Sequence, residues 1–127
     1  MPDHMGEVLV RVKVSGPSGT AELEDVLVDS GALHSMITRS VADSLGIRPE
    51  AHIRFRIVGG HSTLPLGTAI LEIVGKRFRV PVILGDLNLV GLTTLEILGL
   101  TVDPIDQKLV EKPGFIYPVD GAGAAIA

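Results

Sequence analysis

Val8, Val10, Val12 and Val14 alternate with Leu9, Arg11, Lys13 and Ser15. A period of two puts every second side chain on one face of an extended strand, so this segment must lay one apolar face on a core. Gly16-Pro17-Ser18-Gly19 is a turn signal. A second strand, from roughly Thr20 to Val28, then completes a hairpin. It runs straight into Asp29-Ser30-Gly31.

Beyond that loop the period changes. Ile37, Val41 and Leu45 fall at i, i+4 and i+8, one stripe of a helix, with Thr38 placed to cap its start and Gly46 to end it. Ile53, Phe55 and Ile57 alternate with His52, Arg54 and Arg56 and predict a strand, and Val58-Gly59-Gly60-His61-Ser62-Thr63 predicts a flexible tip. Strands are expected at about Leu66–Val74 and Arg77–Leu84, with a tight turn at Gly75-Lys76. After Leu89-Val90-Gly91-Leu92 a short helix is expected. Thr93 and Glu96 have capping-box spacing, and Gly99 can end it. Thr101–Asp103 and Lys108–Val110 predict two short strands. There is no internal repeat and no linker within residues 8–112.

Length and composition narrow the classes of function. A chain of 127 residues suits one domain. It is 46% apolar but only 3% aromatic, so its core is expected to be aliphatic, built from Val, Leu and Ile. A net charge of −4 without a basic tract argues against nucleic acid as a partner. Absence of cysteine removes disulfides, thiol nucleophiles and thiolate metal sites. The four histidines, His4, His34, His52 and His61, have no metal-ligand spacing, so neither metal nor cofactor is indicated. The most apolar long window, Val80 to Leu100, contains Pro81, Asp86, Asn88 and Glu96 and makes a poor membrane span. With no signal peptide in view, the expectation is a soluble, cytoplasmic protein without membrane contact. Residues 1–7 read as a leader, partly derived from expression. Residues 8–112 read as the domain, and residues 113–127 as a partly disordered tail.

Asp29 is the residue with the most chemistry on offer. A carboxylate at a strand end, followed by Gly31, can be projected into a cleft. It can equally close an Asx turn, and the local sequence alone favours the turn. The order of elements reverses that preference. Val28-Asp29-Ser30-Gly31-Ala32, a helix ending Leu45-Gly46-Ile47, a Gly59-Gly60 hairpin tip, and Leu89-Val90-Gly91 before a second helix together resemble the retropepsin-like aspartic proteases over roughly residues 8–110. The helix after the motif looks like that of bacterial and archaeal members. The fold this implies is mainly β: a single-lobe acid-protease barrel with one helix after the active-site loop and one short helix near the C-terminus.

The resemblance also implies roles. Asp29 would be the catalytic aspartate, and Ser30 would bond across a dimer axis and brace the two active-site loops. Gly31 would let the backbone approach substrate, with Ala32 supporting the same loop. Gly59, Gly60 and His61 would lie at the tip of a flap, and Leu89-Val90-Gly91 would pack behind the catalytic loop. Metal-free amide hydrolysis needs a base to activate water and an acid to protonate the amide, and two adjacent carboxylates sharing one proton supply both. The chain has one Asp-[Ser/Thr]-Gly, at Asp29. The second carboxylate is therefore expected from Asp29 of a two-fold related copy. The implied protein is a homodimeric endopeptidase acting on an extended polypeptide.

Three positions depart from the family pattern. Ser30 replaces the commoner Thr. Leu33 stands where relatives usually place a small polar or acidic residue near the substrate backbone. Leu92-Thr93-Thr94 replaces the Arg or Asp/Asn that many relatives carry after the glycine. These departures keep a second reading open: a non-catalytic, dimeric peptide- or protein-binding module on the same fold. His34, close to the motif, could tune the carboxylate pair or line a pocket, and reads more simply as an ordinary polar loop residue. Arg54 and Arg56 read as a solvated strand face.

Overall fold

The computed structural model describes residues 7–113. The leader up to residue 6 and the tail from residue 114 lie outside the described residues. The alternating valines form β1 (Val8–Gly16), paired antiparallel with β2 (Gly19–Val28). The ladder is interrupted between Val10 and Val12, where Glu24 and Asp25 together face Arg11 and Asp25 takes a positive φ of 53°. This β-bulge reverses the parity of β2. Ala21 and Leu23 face the core before it, and Val26 and Val28 after it. Strict alternation would have turned Val26 and Val28 outward.

β3 (Ser35–Thr38) and α1 (Arg39–Leu45) follow the Asp29 loop. Thr38 caps α1 as the sequence predicts, its hydroxyl accepting from the Val41 N–H at 3.2 Å, and Gly46 ends it with φ 72°. Ile37, expected on the helical stripe, instead belongs to β3, where it lies against Leu84 in a parallel pairing. β4 (Ala51–Ile57) and β5 (Gly60–Ile73) form a hairpin whose turn is only Val58-Gly59, so the expected six-residue tip is mostly strand. β6 (Lys76–Gly85) pairs antiparallel with β5 through a turn at Val74-Gly75, one residue earlier than the sequence suggests. Lys76 is taken into the strand, where its ammonium meets Glu111 at 2.7 Å.

β7 (Leu89–Val90) leads to α2 (Leu92–Leu98), and β8 (Leu100–Asp103) and β9 (Lys108–Glu111) make a separate two-stranded sheet. Gly91 is the N-cap of α2, without a side-chain cap. The Thr93–Glu96 capping box is not formed, because Thr93 already lies within the helix and its N–H is spent on Leu33. Gly99 ends α2 as expected.

The strand order β1-β2-β7-β3-β6-β5, closed by a β5–β1 pairing, makes a six-stranded barrel, and β4 extends from it as the outer strand of a hairpin arm. Closure leaves no exposed edge within the ring. The buried core is aliphatic throughout. Val12, Val14, Leu71, Ile73, Val80, Val82, Val90 and Leu98 are at most 2% exposed, while Phe78 stays on the surface. Each such aliphatic side chain contributes about 1.5–3 kcal/mol when fully buried. No helix among the described residues is long and apolar enough to cross a membrane.

Candidate active site

β2 and β7 run parallel, with Leu27 beside Leu89 and Val28 beside Val90. The ladder continues one residue further, as the Asp29 N–H donates to the Val90 carbonyl at 2.8 Å. Asp29 is thereby placed where the strand ends and the loop begins, half-buried. Its carboxylate accepts from the Gly31 N–H at 2.9 Å, and its carbonyl accepts from the Ala32 N–H at 3.1 Å. The Asx turn favoured by local sequence is therefore present. It fixes one carboxylate oxygen, which is compatible with a chemical role for the other.

The loop is held from behind by the segment after β7. The Leu92 N–H donates to the Ala32 carbonyl at 2.8 Å, and the Thr93 N–H to the Leu33 carbonyl at 2.9 Å. The Gly91 N–H donates to Ser35 Oγ at 3.0 Å, and Ser35 Oγ shares a hydrogen bond with Thr94 Oγ1 at 2.5 Å. Ser35 and Thr94 are 1% and 0% exposed, the two buried polar side chains of the described core. Buried hydroxyls persist when they are bonded, and these are. Gly91 has to lack a side chain, since a Cβ there would sit 2.5 Å from the His34 carbonyl carbon and oxygen. Sequence reasoning passed over Ser35 and Thr94. No local signal marks the pair: Ser35 follows His34, Thr94 follows Thr93, and 59 positions separate the two.

A cleft of about 420 Å³ opens beside the loop. Its lining comes from Ala32, Leu33, His34 and Met36 of the loop side, Ile53, Phe55 and Leu64 of the β4–β5 hairpin, and Ile83 and Leu89 of the barrel, with Arg54 also among the residues that line it. His34 thus lines a pocket. Arg54 and Arg56 are exposed, as a solvated face would be. Gly59, Gly60 and His61 lie at the exposed end of the hairpin and do not contribute to this lining. Ser30 is exposed and sits in a different depression, with Leu92, Leu95, Leu100 and Lys112. Among the described residues no group of three His, Asp or Glu is placed to hold a metal ion. Of the other aspartates, Asp43 lies exposed on α1, and Asp103 accepts from the Ile105 and Asp106 N–H groups and serves as a turn cap.

Comparison with known proteins agrees with this geometry. The chain resembles the simian foamy virus (mac) protease at 12% identity, with a TM-score of 0.52, over 68% of this chain and 90% of that one. It resembles the EIAV protease, solved in complex with the inhibitor HBY-793, at 17% identity, with a TM-score of 0.53, over 81% of this chain and 98% of that one. Such low identities establish a shared retropepsin-like fold. No curated protein gives a significant match to the sequence. The family model described as aspartyl protease matches residues 10–102, which contain the Asp29 loop, the β4–β5 hairpin and α2. The chain therefore belongs to the aspartyl protease family.

Proposed function

We propose that this protein is a homodimeric aspartic endopeptidase in which Asp29 from each of two copies forms the catalytic pair. The observation that carries the reading is the seat of Asp29. It stands in the sole Asp-[Ser/Thr]-Gly of the chain, at the end of a barrel strand, with its amide bonded to a parallel neighbour and its loop fixed on both sides. One carboxylate accepts a proton from water as that water attacks the peptide carbonyl. The other, protonated, donates to the departing amide nitrogen. Aspartic proteases as a class are the usual example of such a pair, whose titration belongs to both groups together.

The remaining roles are part of the same proposal. Ser30, exposed and lining a depression other than the cleft, would meet the loop of a second copy. Gly31 and Ala32 hold the loop's shape. Gly59, Gly60 and His61, at the end of the hairpin, would close over a peptide lying extended against Leu33.

Asp29→Asn tests the assignment. Cleavage of a peptide mixture between acid and neutral pH is expected to fall by roughly 10³-fold or more, since an acid–base pair is lost. Cleavage that survives in the variant overturns the assignment of Asp29. Turnover per chain should also fall on dilution through the dimer dissociation constant, and full activity in a strict monomer would refute the shared site. Leu33, apolar where the family is polar, favours the second reading of a binding module. That reading wins if peptides bind but no Asp29-dependent turnover is found.

A further inference from the structure

The β4–β5 arm has a second face besides the one that lines the cleft. Cross-strand pairs share a face, so His52, Arg54 and Arg56 of β4 stand beside Pro65, Thr63 and His61 of β5, while Ile53, Phe55 and Leu64 alternate to the cleft side. Arg54 also borders the cleft. An exposed charged strand is ordinary, and charge alone can keep an edge strand from pairing. Two observations go further. The barrel's arginines are partnered: Arg11 by Glu22 and Glu24, Arg77 by Glu72, and Arg79 by the Thr68 hydroxyl. Arg39, Arg48, Arg54 and Arg56 make no ion pair among the described residues. Charge is also divided along the chain. Residues 39–66 hold these four arginines against Asp43 and Glu50, a net +2, whereas the rest of the chain holds seven basic and thirteen acidic residues, a net −6.

At its base this basic face runs into a small depression. Pro65, paired with His52, lines it together with Arg39, Arg48 and the buried Ala42, Ile47 and Leu84. Its volume is about 180 Å³, room for one aliphatic side chain. Asp43 is the one acid among its lining residues, and Glu50 is engaged elsewhere, accepting from the Thr68 hydroxyl at 3.1 Å. We infer that the face and the depression together are a docking surface for an extended acidic segment of a partner protein, its carboxylates meeting Arg48, Arg54 and Arg56 and one aliphatic side chain seated in the depression. A guanidinium fork matches a carboxylate with two parallel hydrogen bonds. From His52 to Arg56 a strand advances roughly 13 Å, so a segment of about eight residues covers the face and reaches the depression. An anionic membrane or a nucleic acid spreads its charge widely and would also meet the acidic remainder of the molecule, whereas one strand of peptide can lie on the arm alone. The inference goes beyond the peptidase reading and holds whether or not Asp29 is catalytic.

The probe is a fluorescein-labelled peptide of about eight residues, Glu and Ser with one Leu, compared by anisotropy with versions carrying Lys for Glu or Ser for Leu. The full chain is used as wild type and as Asp29→Asn, which keeps the peptide whole. The acidic peptide should bind both forms equally, about 30-fold more tightly than the Lys version. Its affinity should fall roughly 10-fold between 50 and 200 mM NaCl, as salt screens the exposed charges. Ser for Leu should cost about 10-fold. The double variant Arg48→Glu/Arg56→Glu, which spares the lining of the cleft, should lose the acidic peptide and take up the Lys version. Arg48→Gln/Arg56→Gln reads the same loss if the Glu variant does not fold. Amide NMR shifts on adding the peptide should fall on residues 52–56, 61–64 and α1, and not on residues 32–34 or 89. Shifts confined to the latter, no binding at 50 mM NaCl, equal binding of the Glu and Lys peptides, or undiminished affinity in the Arg48/Arg56 variants overturns the inference. So does tighter binding, dependent on Arg48 and Arg56, of a phosphatidylserine vesicle or a single-stranded oligonucleotide. Failure of the wild type to cleave any peptide sinks only the peptidase reading and leaves this surface standing.

Discussion

The floor of the site and the hairpin over it both depend on a glycine, for opposite reasons. At Gly91 a side chain is forbidden because two backbones are in contact, and the segments around it are tied by buried hydrogen bonds through Ser35 and Thr94. At Gly59 no atom lies near enough to meet a side chain, and the glycine serves only the turn, at φ 89°. The β4 strand leading to that turn is paired with β5 alone and carries mostly exposed residues. On the proposed reading, the carboxylate that would have to keep its angle is set on the over-determined region, and the part that would admit substrate is given few constraints.

The contrast can be broken most severely at Gly91. Gly91→Ala forces a Cβ against the His34 carbonyl and should cost roughly 3 kcal/mol. Chemical denaturation would register it, and peptide cleavage should vanish under conditions where the variant is still folded. An unchanged midpoint would mean that the two backbones separate freely. Ser35→Ala comes next. It leaves the buried Gly91 N–H and the Thr94 hydroxyl without their partner, at a cost of about 2 kcal/mol. A Thr94→Val change made in the Ser35→Ala background should add little, as a double-mutant cycle would reveal. Gly59→Ala should have the smallest effect on stability, about 1 kcal/mol, from the positive φ alone. Its larger consequence should fall on KM, and a KM unchanged from wild type would remove the hairpin end from substrate handling. Hydrogen exchange draws the same line without mutation. The amides of Asp29, Gly91 and Thr93 should exchange only through global opening, and those around Val58–Gly60 through local opening.

What the sequence made legible was local. β1 announced itself by period, α1 by Thr38 and Gly46, and the end of α2 by Gly99. Asp29 was found because its motif is contiguous and its neighbours come in a recognisable order. β3 was hidden, since four residues starting just before a helix carry no period of their own and its parallel partner, β6, lies more than forty residues on. The bulge opposite Arg11 was hidden by the assumption of unbroken alternation, although the shift from Leu23 to Val26 and Val28 records it. The Ser35–Thr94 pair was out of reach for the same reason as β3. Two common hydroxyl residues 59 positions apart share nothing in the chain except the space they come to occupy.

That separation has a consequence for how the molecule comes into being. The bonds that fix the Asp29 loop join it to residues 56 to 61 positions further along. Contacts so distant in sequence close late and slow the overall folding rate. During synthesis the motif would leave the ribosome well before Val90, Gly91 and Thr94 exist to hold it. A growing or truncated chain that stops short of α2 therefore carries the aspartate without its floor. The site arises only as the barrel closes, so acquiring it marks the completion of the fold.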